Sequence, residues 1–139
     1  MRFTQVLLIP IGAAFLTAQT PSKAIIVNLK TAHWTHEKGS PPETEGVVIR
    51  SDAATGATDL LARYPAGHVI KPHFHDSNEH IFVAEGQLTL TEDTGKMIID
   101  VGGFAFLPAH EVQRIACTSS TRCSFYLSWD GNPKSHPAP

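Results

Sequence analysis

From residue 47 onward the chain is cut into short apolar runs, each closed by turn-forming residues. The runs span 47–50, 57–64, 68–73, 79–84, 87–91, 96–101, 104–107, 112–117 and 123–129. Gly56, Pro65-Ala66-Gly67, Asp76-Ser77-Asn78, Gly86, Asp93-Thr94-Gly95 and Gly102-Gly103 punctuate them. Short strands at this spacing predict a β-sandwich or barrel. No segment carries a sustained 3.6-residue apolar period, so helix is expected to be minor. Residues 24–29 are also β-rich, residues 33–46 read as an irregular connection around Pro41-Pro42, and the Pro-rich tail 131–139 reads as an extended arm or loose end. No internal repeat is visible, and a length of 139 residues suits one all-β domain over 21–139 with its own core.

The first 20 residues have a different character. Met1-Arg2 supplies a positive start, an apolar stretch runs through 6–16, and small and polar residues follow from Thr17 to Thr20. That order predicts a secretory signal peptide, and hence a periplasmic or secreted protein. The apolar stretch is too short for a bilayer, which needs about 20 residues. Cleavage before Pro21 and cleavage near Ala18 or Ala24 both remain open, and a buried N-terminal element is the alternative to a signal. In an oxidising compartment Cys117 and Cys123 could bond across a turn at Thr118-Ser119-Ser120-Thr121; two free buried thiols are the rival. Eleven basic residues against thirteen acidic ones, with no basic cluster, speak against nucleic acid as a partner. No membrane partner is expected after signal removal.

The chemistry is concentrated between Gly67 and Gly86. His73 and His75 alternate along a strand and so share one face, with Phe74 on the other. Asp76-Ser77-Asn78 can turn the chain, and Glu79 then opens the next strand facing the same interior. Two imidazoles and a carboxylate suit a divalent transition metal such as Fe, Mn, Zn, Ni or Cu, with positions left open for a ligand.

This stretch resembles the first motif of the cupin superfamily. Its pattern is glycine, five residues, His-x-His, three or four residues, glutamate, six residues, glycine, and Gly67, His73, His75, Glu79 and Gly86 fill every position. The second cupin motif is only partly present. Gly102 and Pro108 match, but His110 stands where a glycine is expected, Gln113 where the fourth metal ligand is usually a histidine, and Cys117 where an asparagine is expected. The resemblance implies a double-stranded β-helix, or jelly roll. It also implies a metal held by His73, His75 and Glu79. Gln113 is the candidate for the fourth position; a water held by Gln113, or a re-aimed His110, are the alternatives, and a degraded site that holds metal weakly is a third.

The remaining polar residues receive weaker assignments. His80 should point outward, His68 could line the barrel mouth, and His33, His36 and His136 read as solvated loop residues. Tyr64, Phe104, Phe106, Phe125, Leu127 and Trp129 are candidates for an apolar pocket wall, while Glu85 and Glu111 are expected to face solvent. The resemblance supports a metal-dependent enzyme of oxygenase, isomerase or lyase type acting on a small oxygen-rich chelating molecule. The alternative is a non-catalytic module that binds a small molecule or sugar. Members of that superfamily often pair through strand exchange or sheet packing, which makes a homodimer a candidate state, with 24–29 as the contact.

Overall fold

The computed structural model describes residues 23–36 and 43–139. The expected signal peptide, 1–20, lies outside the described residues. Ten strands form: β1 Glu45–Ser51, β2 Thr58–Tyr64, β3 Val69–His75, β4 Glu79–Glu85, β5 Leu88–Glu92, β6 Gly95–Ile99, β7 Phe104–Leu107, β8 Gln113–Cys117, β9 Cys123–Trp129 and β10 Ser135–Pro137. No helix occurs among the described residues.

The strands make two five-stranded antiparallel sheets. The first has the order β1-β2-β9-β4-β7 and the second β10-β3-β8-β5-β6. Apart from the hairpins β1–β2 and β5–β6, successive strands cross from one sheet to the other, so the two inner faces enclose a common core, the jelly-roll arrangement. Strand parity sets which residues fill it. On β9, Cys123, Phe125, Leu127 and Trp129 alternate inward. On β4, Ile81 and Val83 do the same, while Phe82 between them is exposed. Leu88, Leu90 and Ile115 close the core from the opposite sheet.

A disulfide joins Cys117 at the end of β8 to Cys123 at the start of β9 and so staples the two sheets. Gly86 makes room for it. Its φ of 77° lies in the left-handed region, and a Cβ there would fall 2.7 Å from the Arg122 carbonyl oxygen and 2.9 Å from Cys123 Sγ. Only glycine fits that position.

Two segments differ from the sequence reading. Residues 24–29 form no strand, and Ile25 and Ile26 are exposed. Their β-propensity finds no ladder: among the described residues the outer edge of β1 is met only by the isolated Thr35–Gly46 bridge. The tail, by contrast, is docked. β10 pairs with β3 in the register Ser135–His75, His136–Phe74 and Pro137–His73.

Candidate metal centre

Four polar side chains are buried where the sheets face each other: His73, His75, Glu79 and Gln113, each no more than 9% exposed. Three come from the second sheet. His73 and His75 project inward from β3, and Gln113 lies across from His73 on β8. Glu79 comes from the first sheet, at the head of β4. The turn between β3 and β4 is held by Asn78, whose side chain donates to Asp130 (3.0 Å) and accepts from the Ala109 amide (3.0 Å). That clamp fixes where β4 begins and therefore which way Glu79 faces.

The ring orientations are set by the backbone. His73 Nδ1 lies 2.8 Å from the Lys71 carbonyl oxygen, and His75 Nδ1 lies 2.9 Å from that of Pro133. A carbonyl only accepts, so each Nδ1 carries the proton and each Nε2 keeps its lone pair. His75 Nε2 is 3.6 Å from a Glu79 carboxylate oxygen. One donor atom from each of His73, His75 and Glu79 falls within 4.8 Å of the others, a spacing compatible with a divalent metal site.

The β3–β8 register slips between Ile70 and His73. This bulge at Lys71-Pro72 lets Ile70 and His73 both face inward, and it presents the Lys71 carbonyl to the His73 ring. Pro72 suits the spot because it has no amide hydrogen to leave unpaired.

Electrostatics favour a neutral His75. Burial, and then the neighbouring His73, hold its pKa below the ordinary value. Burial pushes the Glu79 carboxyl up to about 7, only partly offset by the hydrogen bond that Gln113 Nε2 donates to it. A carboxylate removed from water in this way is stabilised by a nearby cation. Gln113 adds a second sign: its Oε1 is buried without a hydrogen-bond partner. An orphaned acceptor beside a buried carboxylate and two imidazole lone pairs fits a cation. The residues present therefore fit the group that the sequence motif implies.

The site opens into a cavity of about 790 Å³ between the sheets. Leu60, Ile70, Phe125, Leu127 and Trp129 give it apolar walls, and Tyr64 lines it too. Burial, with Glu79 nearby, raises the Tyr64 hydroxyl to about 12, so it stays protonated as a donor. Trp129 Nε1 is buried without a partner.

The matching family model is that of the cupin domain, over residues 60–129. The chain is a cupin. Solved structures agree on the fold. The polyketide cyclase RemF from Streptomyces resistomycificus is 20% identical, with a TM-score of 0.66 over 84% of this chain and 87% of that one. KdgF from Halomonas is 15% identical, with a TM-score of 0.62 over 77% and 94%. An uncharacterised Klebsiella pneumoniae protein with a double-stranded β-helix domain is 14% identical, with a TM-score of 0.65 over 84% and 99%. No curated protein matches the sequence.

Within this cupin, the structure brings together His73, His75, Glu79 and Gln113 and leaves His110 outside. His110 is largely exposed, 3.8 Å from Asp76, and stands against Phe74 on the far side of β3. Its φ of 67° is left-handed, which explains why a glycine is expected there. Phe104 and Phe106 are corrected as well. Both are exposed on the outer face of β7, where His80 packs beside them, because Ala105 and Leu107 take the inward parity. His68 packs on Tyr64 instead of lining the cavity. His136 is not a free loop residue: it stacks on Phe74 and pairs with Asp76 at 2.8 Å. Glu85 accepts from Ser124, away from the site. Sequence reasoning missed Lys71, Pro133 and Lys134 altogether; the only signal for Lys71 was the Lys-Pro pair inside a strand, which marks a bulge.

Proposed function

We propose that this cupin is an exported metal-dependent enzyme that acts on a small molecule with adjacent oxygen atoms. The observation that carries the reading is the pair of imidazoles whose Nδ1 protons are committed to backbone carbonyls, leaving both Nε2 atoms beside the buried Glu79 at the cavity's inner end. His73, His75 and Glu79 would hold a divalent ion, with the Gln113 Oε1 as the fourth donor after rotation of its amide. When bound, the ion supplies Lewis acidity to a chelating ligand. The chain's own part is to orient and shield. The apolar walls exclude water from the reacting end, and the protonated Tyr64 hydroxyl offers a hydrogen bond to a substrate oxygen. Export is supported by the signal-like N-terminus and by the buried Cys117–Cys123 disulfide, a bond that persists in oxidising compartments.

A second reading has one observation in its favour. Gln113 donates directly to Glu79, so the carboxyl has a partner without any metal. That suits a module that binds a small molecule without catalysing its reaction. Ligand binding before and after stripping with a chelator separates the two. The enzyme reading expects chelating diols, hydroxy acids and diketones to stabilise the metal-loaded protein and to turn over on it. Stabilisation that survives complete metal removal, with no turnover, would support the binder and overturn the enzyme.

A further inference from the structure

The cavity carries a charge asymmetry that the metal centre does not account for. The whole chain has a formal net charge of −2. The charged side chains that line the cavity are Lys71, Lys134 and Glu79, two ammonium groups against one carboxylate. Glu79 is buried beside the imidazoles, whereas both lysines line the cavity yet are solvent-exposed, which sets them on its open side. Among the described residues neither amine makes an ion pair or a side-chain hydrogen bond, although Lys134 stands near enough to Asp76 to add to the lowering of its pKa, behind His136 and His110. The other lysine that forms part of a cavity wall, Lys96, belongs to a separate pocket.

Their placement is built into the fold. Lys71 is the extra residue of the β3 bulge, the same residue whose carbonyl orients His73. Lys134 enters from the segment before β10. Its amide is held by the Asn132 side chain at 2.9 Å, and it directly follows Pro133, whose carbonyl orients His75. The Ala138 amide donates to the Pro72 carbonyl at 3.0 Å and ties the end of the tail to the bulge. The two ammonium groups therefore stand on the two backbone segments that also fix the metal-facing rings. A low-dielectric cavity with positive charge at its mouth focuses the field on an incoming anion.

We propose that the substrate is an organic acid: chelating oxygens at the inner end, an apolar or aromatic body along the walls, and a carboxylate met by Lys71 and Lys134 at the mouth. This rests on the metal-centred reading above and adds the substrate class to it. The side chains of Lys71 and Lys134 act as specificity determinants; Lys71 bears on the ion only through its main-chain carbonyl, which orients His73.

The test uses two probes of one shape. 3,4-Dihydroxybenzoate and 3,4-dihydroxybenzamide share a catechol chelator and differ only in the charge at the far end. The full mature protein is first titrated with Zn²⁺, and the loaded protein is then titrated calorimetrically with each probe at low ionic strength. The acid is expected to bind at least about ten-fold more tightly than the amide. K134Q and the double variant K71Q/K134Q, which keep every main-chain carbonyl, are compared as Zn²⁺-loaded proteins; the double variant should reduce that preference to below about two-fold, and 0.5 M salt should shrink the preference in the parent. Equal binding of acid and amide by the loaded parent, no binding of either, or a preference that persists in the double variant would each overturn the inference and leave the metal reading standing. Failure to take up Zn²⁺ would overturn both.

Discussion

One backbone angle separates His110 from the glycine expected in its place. At a φ of 67° a side chain meets the adjoining peptide, a conformation that costs an L-residue about 1 kcal/mol. The contact that His110 makes with Asp76, at 3.8 Å on the surface, offsets little of this. His110→Gly should therefore stabilise the protein by about 1 kcal/mol in urea unfolding, without altering metal affinity. A loss of metal on that substitution would return His110 to the site. Glu79 gives a pH-dependent prediction. Its folded pKa, about 7, lies above the ordinary carboxyl value, so its contribution to the metal-free fold is full below pH 4.5 and is lost as pH rises through 7. In chelator, E79Q should be more stable than the parent at pH 8 by on the order of 2 kcal/mol, with the gain fading toward pH 4. His75, whose pKa is lowered from the ordinary 6.5, works in the opposite direction, weakening the fold only as pH falls toward and below that value, so it does not enter the comparison at pH 8. An E79Q protein no more stable than the parent at pH 8 would show that the carboxylate is not strained by burial.

At the scale of the element, β10 and the β3 bulge do more than complete a sheet. Pro133 and Lys71 orient the rings through their carbonyls, and such partners of a ligating histidine are typically worth 10- to 100-fold in metal affinity. A chain ended after Asp130 should keep the disulfide and both sheet cores yet bind Zn²⁺ about 10-fold or more weakly, since His75 loses its carbonyl. Unchanged affinity would mean that the tail is only an edge cover. The strands themselves were legible: the runs 104–107 and 123–129 coincide with β7 and β9, because period-2 alternation and turn residues are local signals. His73, His75 and Glu79 were legible for the same reason, since five fixed positions lie within one hairpin-sized stretch. What escaped was non-local or carried by the backbone. A carbonyl that aims an imidazole leaves no mark in residue type, and the tail's pairing with β3 spans about 60 residues of chain. Which face of β7 is inward depends on its neighbour β4, so the large Phe104 and Phe106 suggested the wrong side.

Across the whole molecule, two sheets bring together donors that no single sheet could supply: His73, His75 and Gln113 from one, Glu79 from the other. The site is therefore as rigid as the packing between the sheets. The Cys117–Cys123 bond contributes to that packing, and closing so short a loop is worth about 2 kcal/mol. C117S/C123S should lose about that much stability in denaturant unfolding while still binding metal; no change on removing both thiols would show that the bond does not form. The central claim is that the enclosed cluster holds an ion. Elemental analysis of untagged mature protein, beside Zn²⁺ titration of the stripped form, reads it directly. The account predicts close to one divalent ion per chain, abolished in folded H75A and weakened at least about 10-fold in Q113L. A correctly folded parent that neither carries nor takes up a stoichiometric ion, or an H75A protein that binds as well as the parent, would contradict it.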